Sequence, residues 1–128
     1  MIDLAGIDSA IKNVEIALEK ATVETQQKVV LVVDSALVLG TPVDTGRARG
    51  NWLPSIGTPD DRQILDAVDK GGMNAINAAT GKANELKFGD TFYISNNLPY
   101  IGKLEDGHSR QAPQGFVQKA LQAARAVK

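Results

Sequence analysis

Between Gly40 and Trp52 the chain has to end one element, reverse and begin another. The stretch reads Gly40-Thr41-Pro42-Val43-Asp44-Thr45-Gly46-Arg47-Ala48-Arg49-Gly50-Asn51-Trp52. It holds the only Trp of the sequence and follows a long apolar segment. Gly40 suits the left-handed position that closes a helix. Pro42 biases the residue before it away from helix and has no amide proton of its own to donate. Asp44-Thr45-Gly46 is turn chemistry, because Asp bonds the backbone two residues on and Gly tolerates positive φ. From Arg47 the residues alternate, with Arg47, Arg49 and Asn51 on one side of an extended chain and Ala48, Gly50 and Trp52 on the other. The stretch therefore reads as helix stop, tight turn and strand start, with Trp52 packed inward.

What precedes it reads as one long helix from about Asp8 to Leu39. Ile7, Ile11, Val14, Leu18 and Ala21 recur at steps of three and four, and Asp8 or Ser9 can cap the start. The second half, Val29 to Leu39, is β-branched and apolar on several sides. A helix apolar all round must be covered all round, either by its own domain or by a neighbouring subunit. Val29, Val30, Val32, Val33 and Leu37 are the positions for such an intersubunit contact.

Downstream, Pro54 and Pro59 predict that the strand ends near Leu53 or Ile56 and lies at a sheet edge. Asp60 to about Glu85 reads as helix interrupted at Gly71-Gly72. Phe88 to Asn96 is a strand, with Phe92 and Ile94 on one side and Thr91, Tyr93 and Ser95 on the other. Tyr100 to Asp106 forms a short helix closed by Gly107. After a polar loop, Pro113 precedes a last helix whose face is Phe116, Val117, Ala120, Leu121 and Ala124. The class expected is α+β: a small, mostly antiparallel sheet with a long N-terminal helix, a middle helical excursion and a C-terminal helix. At 128 residues this is a single domain, 1–128, large enough to bury its own core.

Composition removes several chemistries. With no Cys there are no disulfides, thiolate zinc sites or Cys nucleophiles, and a single His makes His-rich metal sites out of reach for one chain. The net charge of −1 lacks the basic excess of a dedicated nucleic-acid binder. The basic residues after Gly107 (Arg110, Lys119, Arg125, Lys128) come without a carboxylate among them. They complement the dipole of a last helix, or meet an acidic partner. The N-terminus lacks a basic region followed by an apolar run, and Val29–Val33 is too short to span a bilayer. A soluble protein made in the cytoplasm is expected.

No Gly-x-Ser-x-Gly elbow, Walker loop, dinucleotide fingerprint or His-Glu-x-x-His pair occurs. Asp60-Asp61 and Glu105-Asp106 are adjacent carboxylates of the kind a metal-dependent nuclease or phosphodiesterase uses to hold Mg²⁺. The plainer reading is acids at helix starts. His108-Ser109 offers a base beside a nucleophile, with no third group to orient them. Arg47 and Arg49 can grip a carboxylate or phosphate, or sit ion-paired on a sheet face. No catalytic, cofactor-binding or metal residues are expected.

Two stretches in this order resemble a known family. One is Thr41-Pro42-Val43-Asp44-Thr45-Gly46-Arg47, ending in Asn51-Trp52. The other runs from Asn97 to Val117 and contains Pro99-Tyr100, then Leu104-Glu105-Asp106-Gly107-His108-Ser109-Arg110-Gln111-Ala112-Pro113-Gln114-Gly115. Together, between a long helix and a last helix, they are similar to the tail-component or tail-completion proteins of tailed bacteriophages, the minor tail protein Z-like group. Pro54–Lys87 carries no matching motif. The resemblance implies an α+β fold, no enzymatic activity and no cofactor. It also implies a structural virion protein at the head–tail joint, a ring of copies (six- or twelve-fold) that meets other neck, connector and tail proteins. DNA would pass its lumen only transiently, and no membrane is involved. The matched residues, Arg49 with them, carry over as structural or interface positions.

Overall fold

Two strands, not a helix, come first in the computed structural model, which describes residues 2–3, 13–18, 22–43, 45–102 and 115–127. They are β1, Ile2–Asp3, and β2, Asn13–Leu18. The helix expected from Asp8 is correspondingly shorter: α1 spans Val23–Gly40. Val14 and Leu18 are four apart, and an interval of four stays on one face in helix and strand alike. Val14 and Ile16 decide it, since both are fully buried while Asn13, Glu15 and Ala17 are half-buried, a period of two. Residues 8–12, including the expected caps, lie outside the described residues. The true cap is Thr22, whose Oγ1 accepts from the Thr25 amide at 3.1 Å, with Glu24 in the first turn favoured by the helix dipole.

The second half of α1 is covered mostly by its own chain. Val29, Val30, Val33 and Leu37, four of the positions considered for an intersubunit contact, are fully buried in the core, whereas Val32 is 36 % exposed. Each such burial stabilises by roughly 1.5–3 kcal/mol. The helix ends on Thr41, whose amide donates to the carbonyls of Leu37 and Val38. Gly40 is thus the last helical residue, and the left-handed glycine of the stretch is Gly46, at φ 86°. Arg47–Gly50 is a single helical turn, α2, so the alternation expected there does not form.

The strand begins later, as β3, Leu53–Ile56, and lies at the sheet edge as the prolines require. With β4, Phe92–Ser95, the order is β1-β2-β4-β3 and every pairing is antiparallel. The Gly57 amide donates to the Thr91 carbonyl, and alternation from that pair turns the main chain of Pro54 and Ile56 away from β4. Proline occupies a position where no amide is required. β4 is shorter than Phe88–Asn96 because Lys87–Asp90 forms a turn: the Lys87 amide donates to the Asp90 carboxylate, and the Asp90 amide to the Lys87 carbonyl.

Asp60 does not start a helix. Residues 60–72 are irregular, and α3 spans Met73–Ala83. Side-chain amides replace helical bonds in this segment. Asn51 Oδ1 accepts from the Ile64 amide (2.7 Å) while its Nδ2 donates to the Ile64 carbonyl (2.9 Å). Asn97 Nδ2 donates to the carbonyls of Asp60 and Arg62. The last helix, α4, is Phe116–Arg125, with Val117, Ala120, Leu121 and Ala124 buried, and its main packing partner is α1. Ile101–Gly102 is helical, Tyr100 before it is a turn residue, and residues 103–106 of the short helix expected over Tyr100–Asp106 lie outside the described residues. The helices cover one face of the sheet, with Val14, Ile16, Phe92, Ile94 and Trp52 in the shared core. This is an α+β arrangement, and no helix among the described residues is long and apolar enough to cross a membrane.

Candidate functional site

The stretch from Thr41 to Trp52 is a junction on which four parts of the chain meet. Thr41 Oγ1 donates to the Leu37 carbonyl (2.6 Å) and accepts from Trp52 Nε1 (2.8 Å). Helix end and strand start are joined through one hydroxyl, buried with the whole indole. Arg49 lies across the junction. Its Nε donates to the Thr41 carbonyl (2.8 Å), Nη1 to the Lys70 carbonyl (2.8 Å) and Nη2 to the Leu39 carbonyl (3.0 Å). A guanidinium is suited to this because its donors form a fixed fork, and a cation at a helix C-terminus complements the dipole. Arg49 is therefore a backbone clamp, with no ion pair among the described residues. Arg47 is exposed, and its amide donates to Thr45 Oγ1 at 3.3 Å.

Gly46 is where the overlying segment touches the turn. A Cβ there would lie 2.6 Å from the amide nitrogens of both Asp69 and Lys70, and φ is positive as well. The Asp69 amide donates back to the Gly46 carbonyl at 3.3 Å. Gly50 is similarly close to the Ala67 side chain. Asp69 then serves α3, accepting from the amides of Asn74 (3.2 Å) and Ala75 (2.9 Å) with its two oxygens. It acts as the cap that Gly72 cannot supply.

The residue just before the second motif reaches this junction. Asn96 Nδ2 donates to the Ala48 carbonyl (3.0 Å) across the end of the sheet, and Asn96 Oδ1 accepts from the Leu98 amide. Pro99 and Tyr100 follow on the surface, Ile101 is buried, and Gly115 opens α4 at φ 82°. Asp44, Leu104, Glu105, Gly107, Ser109, Gln111, Ala112 and Pro113 lie outside the described residues, as do Asp106 and His108. Pro42 is buried and Val43 half-buried; Thr45 is exposed.

Of the carboxylates singled out for a metal, Asp60 and Asp61 are among the described residues, and Glu105 and Asp106 lie outside them. Asp60 is held by Arg62, which donates from Nε and Nη2 to both oxygens, and this hydrogen bonding lowers the Asp60 pKa. Asp61 is exposed beside it. Among the described residues no three His, Asp or Glu form a metal-binding group.

A different carboxyl stands out. Asp34 is fully buried on α1, and neither oxygen has a hydrogen-bond partner among the described residues. Burial raises its pKa from an ordinary 3.8 to about 7. The signal was in the sequence: Asp34 is four residues after Val30 and four before Val38, on the apolar face of α1. Asn13 Oδ1 and Ser95 Oγ, on paired residues of β2 and β4, are also buried without partners among the described residues. A cleft of about 360 Å³ lies between β3 and α3, walled by Trp52, Leu53 and Pro54 on one side and Asn74, Ala75 and Ala78 on the other. The chain matches no family model, and neither curated proteins nor solved structures include a match to it.

Proposed function

We propose that the chain is a structural virion protein of a tailed bacteriophage, made in the host cytoplasm and placed at the head–tail joint in a neck or tail-completion role. Copies form a closed ring that joins or terminates the tail, contacts other neck, connector and tail proteins, and lets DNA pass. The observation that carries this reading is the ordered pair of stretches, Thr41–Trp52 and Asn97–Val117.

The local chemistry is consistent with it. Arg49 spends its donors on main-chain carbonyls, Trp52 on Thr41, and Asn51 on Ile64. Residues of the first stretch are thus specified by the fold they hold, which suits a protein whose product is a shape. Apolar side chains remain for contacts with neighbours: Val32, and at the C-terminal end of α1 Leu39 (53 % exposed) near Met73 (57 % exposed). Exposed apolar groups of this kind mark interaction surfaces when they adjoin.

Mass spectrometry of purified virions, compared with tailless heads and headless tails, tests the reading. The chain is expected in complete particles, and its absence from them overturns the proposal.

A further inference from the structure

The seam between α1 and α3 carries the inference. The two helices run antiparallel. Gln27 Nε2 donates to the Ala83 carbonyl at the end of α3 (3.1 Å), while Val38 meets Gly72 at its beginning. Gln27, Leu31, Asp34 and Val38 recur at steps of four and three, so they form one stripe of α1, turned towards α3. The buried face of α3 consists of Ala75, Ala79 and Ala83. Helical phase thus turns Asp34 towards a face of methyl groups that have nothing to donate, and both its oxygens are without partners among the described residues.

Among the described residues no charge compensates it. On α1 itself Glu24 and Lys28 are exposed, as are Arg47 on α2 and Lys119 and Arg125 on α4. Arg49 is committed to three carbonyls, Asp69 to the α3 amides, and Lys82 on α3 pairs with Glu85. Glu15 alternates with the buried Val14 and Ile16 and so lies on the other face of the sheet. An ionised Asp34 in that seam lacks solvent, and has no counter-ion among the described residues, which strongly disfavours the closed packing.

We propose that Asp34 is the latch of a proton-dependent lid: with the carboxyl protonated α3 closes on α1, and loss of the proton to solvent releases α3 and widens the cleft facing Trp52 and Pro54. α3 is held on the core by small contacts, namely three buried alanines and the partly buried Ile76, together with the Asp69 cap, the Gln27 bond, the Gly72 contact and its packing on β3. The released carboxyl ionises in water near its ordinary 3.8 and the closed one at about 7, so opening rises between these values and levels off above.

Hydrogen exchange of the full chain, corrected for the intrinsic pH dependence of amide exchange, tests this. Between pH 5 and pH 7 the amides of Met73–Ala83 are expected to exchange at least tenfold faster, while those of β4 and α4 change less. Asp34→Asn is expected to abolish the pH dependence, and Asp34→Leu carries the same expectation should the first variant fail to fold. The proposal is overturned if α3 exchanges no faster than β4 over that range, or if the dependence survives either substitution. An NMR titration of the Asp34 carboxyl with a midpoint below pH 5 overturns it equally.

Discussion

The Trp52 indole N–H donates to the Thr41 hydroxyl at 2.8 Å, and both side chains are fully buried. This one bond ties the end of α1 to the start of β3. Thr41→Val keeps the shape and leaves the indole donor unpaired in the core. A loss of about 1–3 kcal/mol is expected by urea unfolding. In a double-mutant cycle with Trp52→Phe the two losses are expected to be less than additive, because the second substitution removes a donor already orphaned.

Arg49 reaches Leu39, Thr41 and Lys70 with three nitrogens of one planar group. Arg49→Lys keeps the charge and loses the fork. Denaturant curves are expected to show Arg49→Lys recovering less than half of the roughly 2 kcal/mol lost in Arg49→Ala. Full recovery by Lys would mean that charge alone matters at the end of α1.

Gly46→Ala meets two obstacles, a positive φ and the backbone of Asp69 and Lys70 at 2.6 Å. The left-handed conformation alone costs about 1–2 kcal/mol, and the contact adds to it. Because the displaced partner is the 60–72 segment, trypsin is expected to cut after Arg62 or Lys70 several-fold faster in this variant than in the native chain. Equal cleavage rates would show that the contact does not hold the segment.

These contacts also mark what sequence reading reaches. The second half of α1, the edge position of β3, the inward residues of β4, the buried face of α4 and the burial of Trp52 follow from local period and proline chemistry. β2 does not, because Val14 and Leu18 fit a helix and a strand equally. Nor does the irregular path of 60–72, whose main-chain partners are Asn51 and Asn97. A side-chain amide that bonds the backbone 13 or 37 residues away leaves no local pattern. The clamp made by Arg49 is hidden for the same reason, since its Lys70 carbonyl lies 21 residues on.

Stability is expected to depend on pH through Asp34 in an unusual direction. The folded carboxyl titrates at about 7 and the unfolded one near 3.8, so the unfolded chain releases its proton first as pH rises. The contribution is greatest below pH 3.8, declines through the interval to pH 7 and is level above. The total is about 4 kcal/mol in order of magnitude. Asp60, whose pKa is lowered chiefly by its side-chain hydrogen bond with Arg62, works in the opposite sense at lower pH. Subtracting the stability of Asp34→Asn from that of the native chain at each pH removes the Asp60 effect. A difference that stays constant from pH 4 to 7 would contradict the assignment.

Val32 is the one residue of Val29, Val30, Val32, Val33 and Leu37 with substantial exposure. Val32→Asp is therefore expected to leave a folded monomer, within about 0.5 kcal/mol of the native chain. If α1 contributes to the ring contact of the proposed virion protein, the variant is expected to fail to enter virions when supplied in place of the native protein. Loss of the soluble monomer would place Val32 in the core; normal incorporation would remove this face from the contact.

Pro54 has a consequence beyond its own strand. At the free margin of the sheet the outward main chain offers two carbonyls, from Pro54 and Ile56, and a single amide, that of Ile56. A nascent copy emerging nearby in a crowded cell finds no continuous row of donors and acceptors to zip onto here. At this margin any contact with another copy is left to side-chain surfaces, which form and separate without rewriting the hydrogen bonding of either partner.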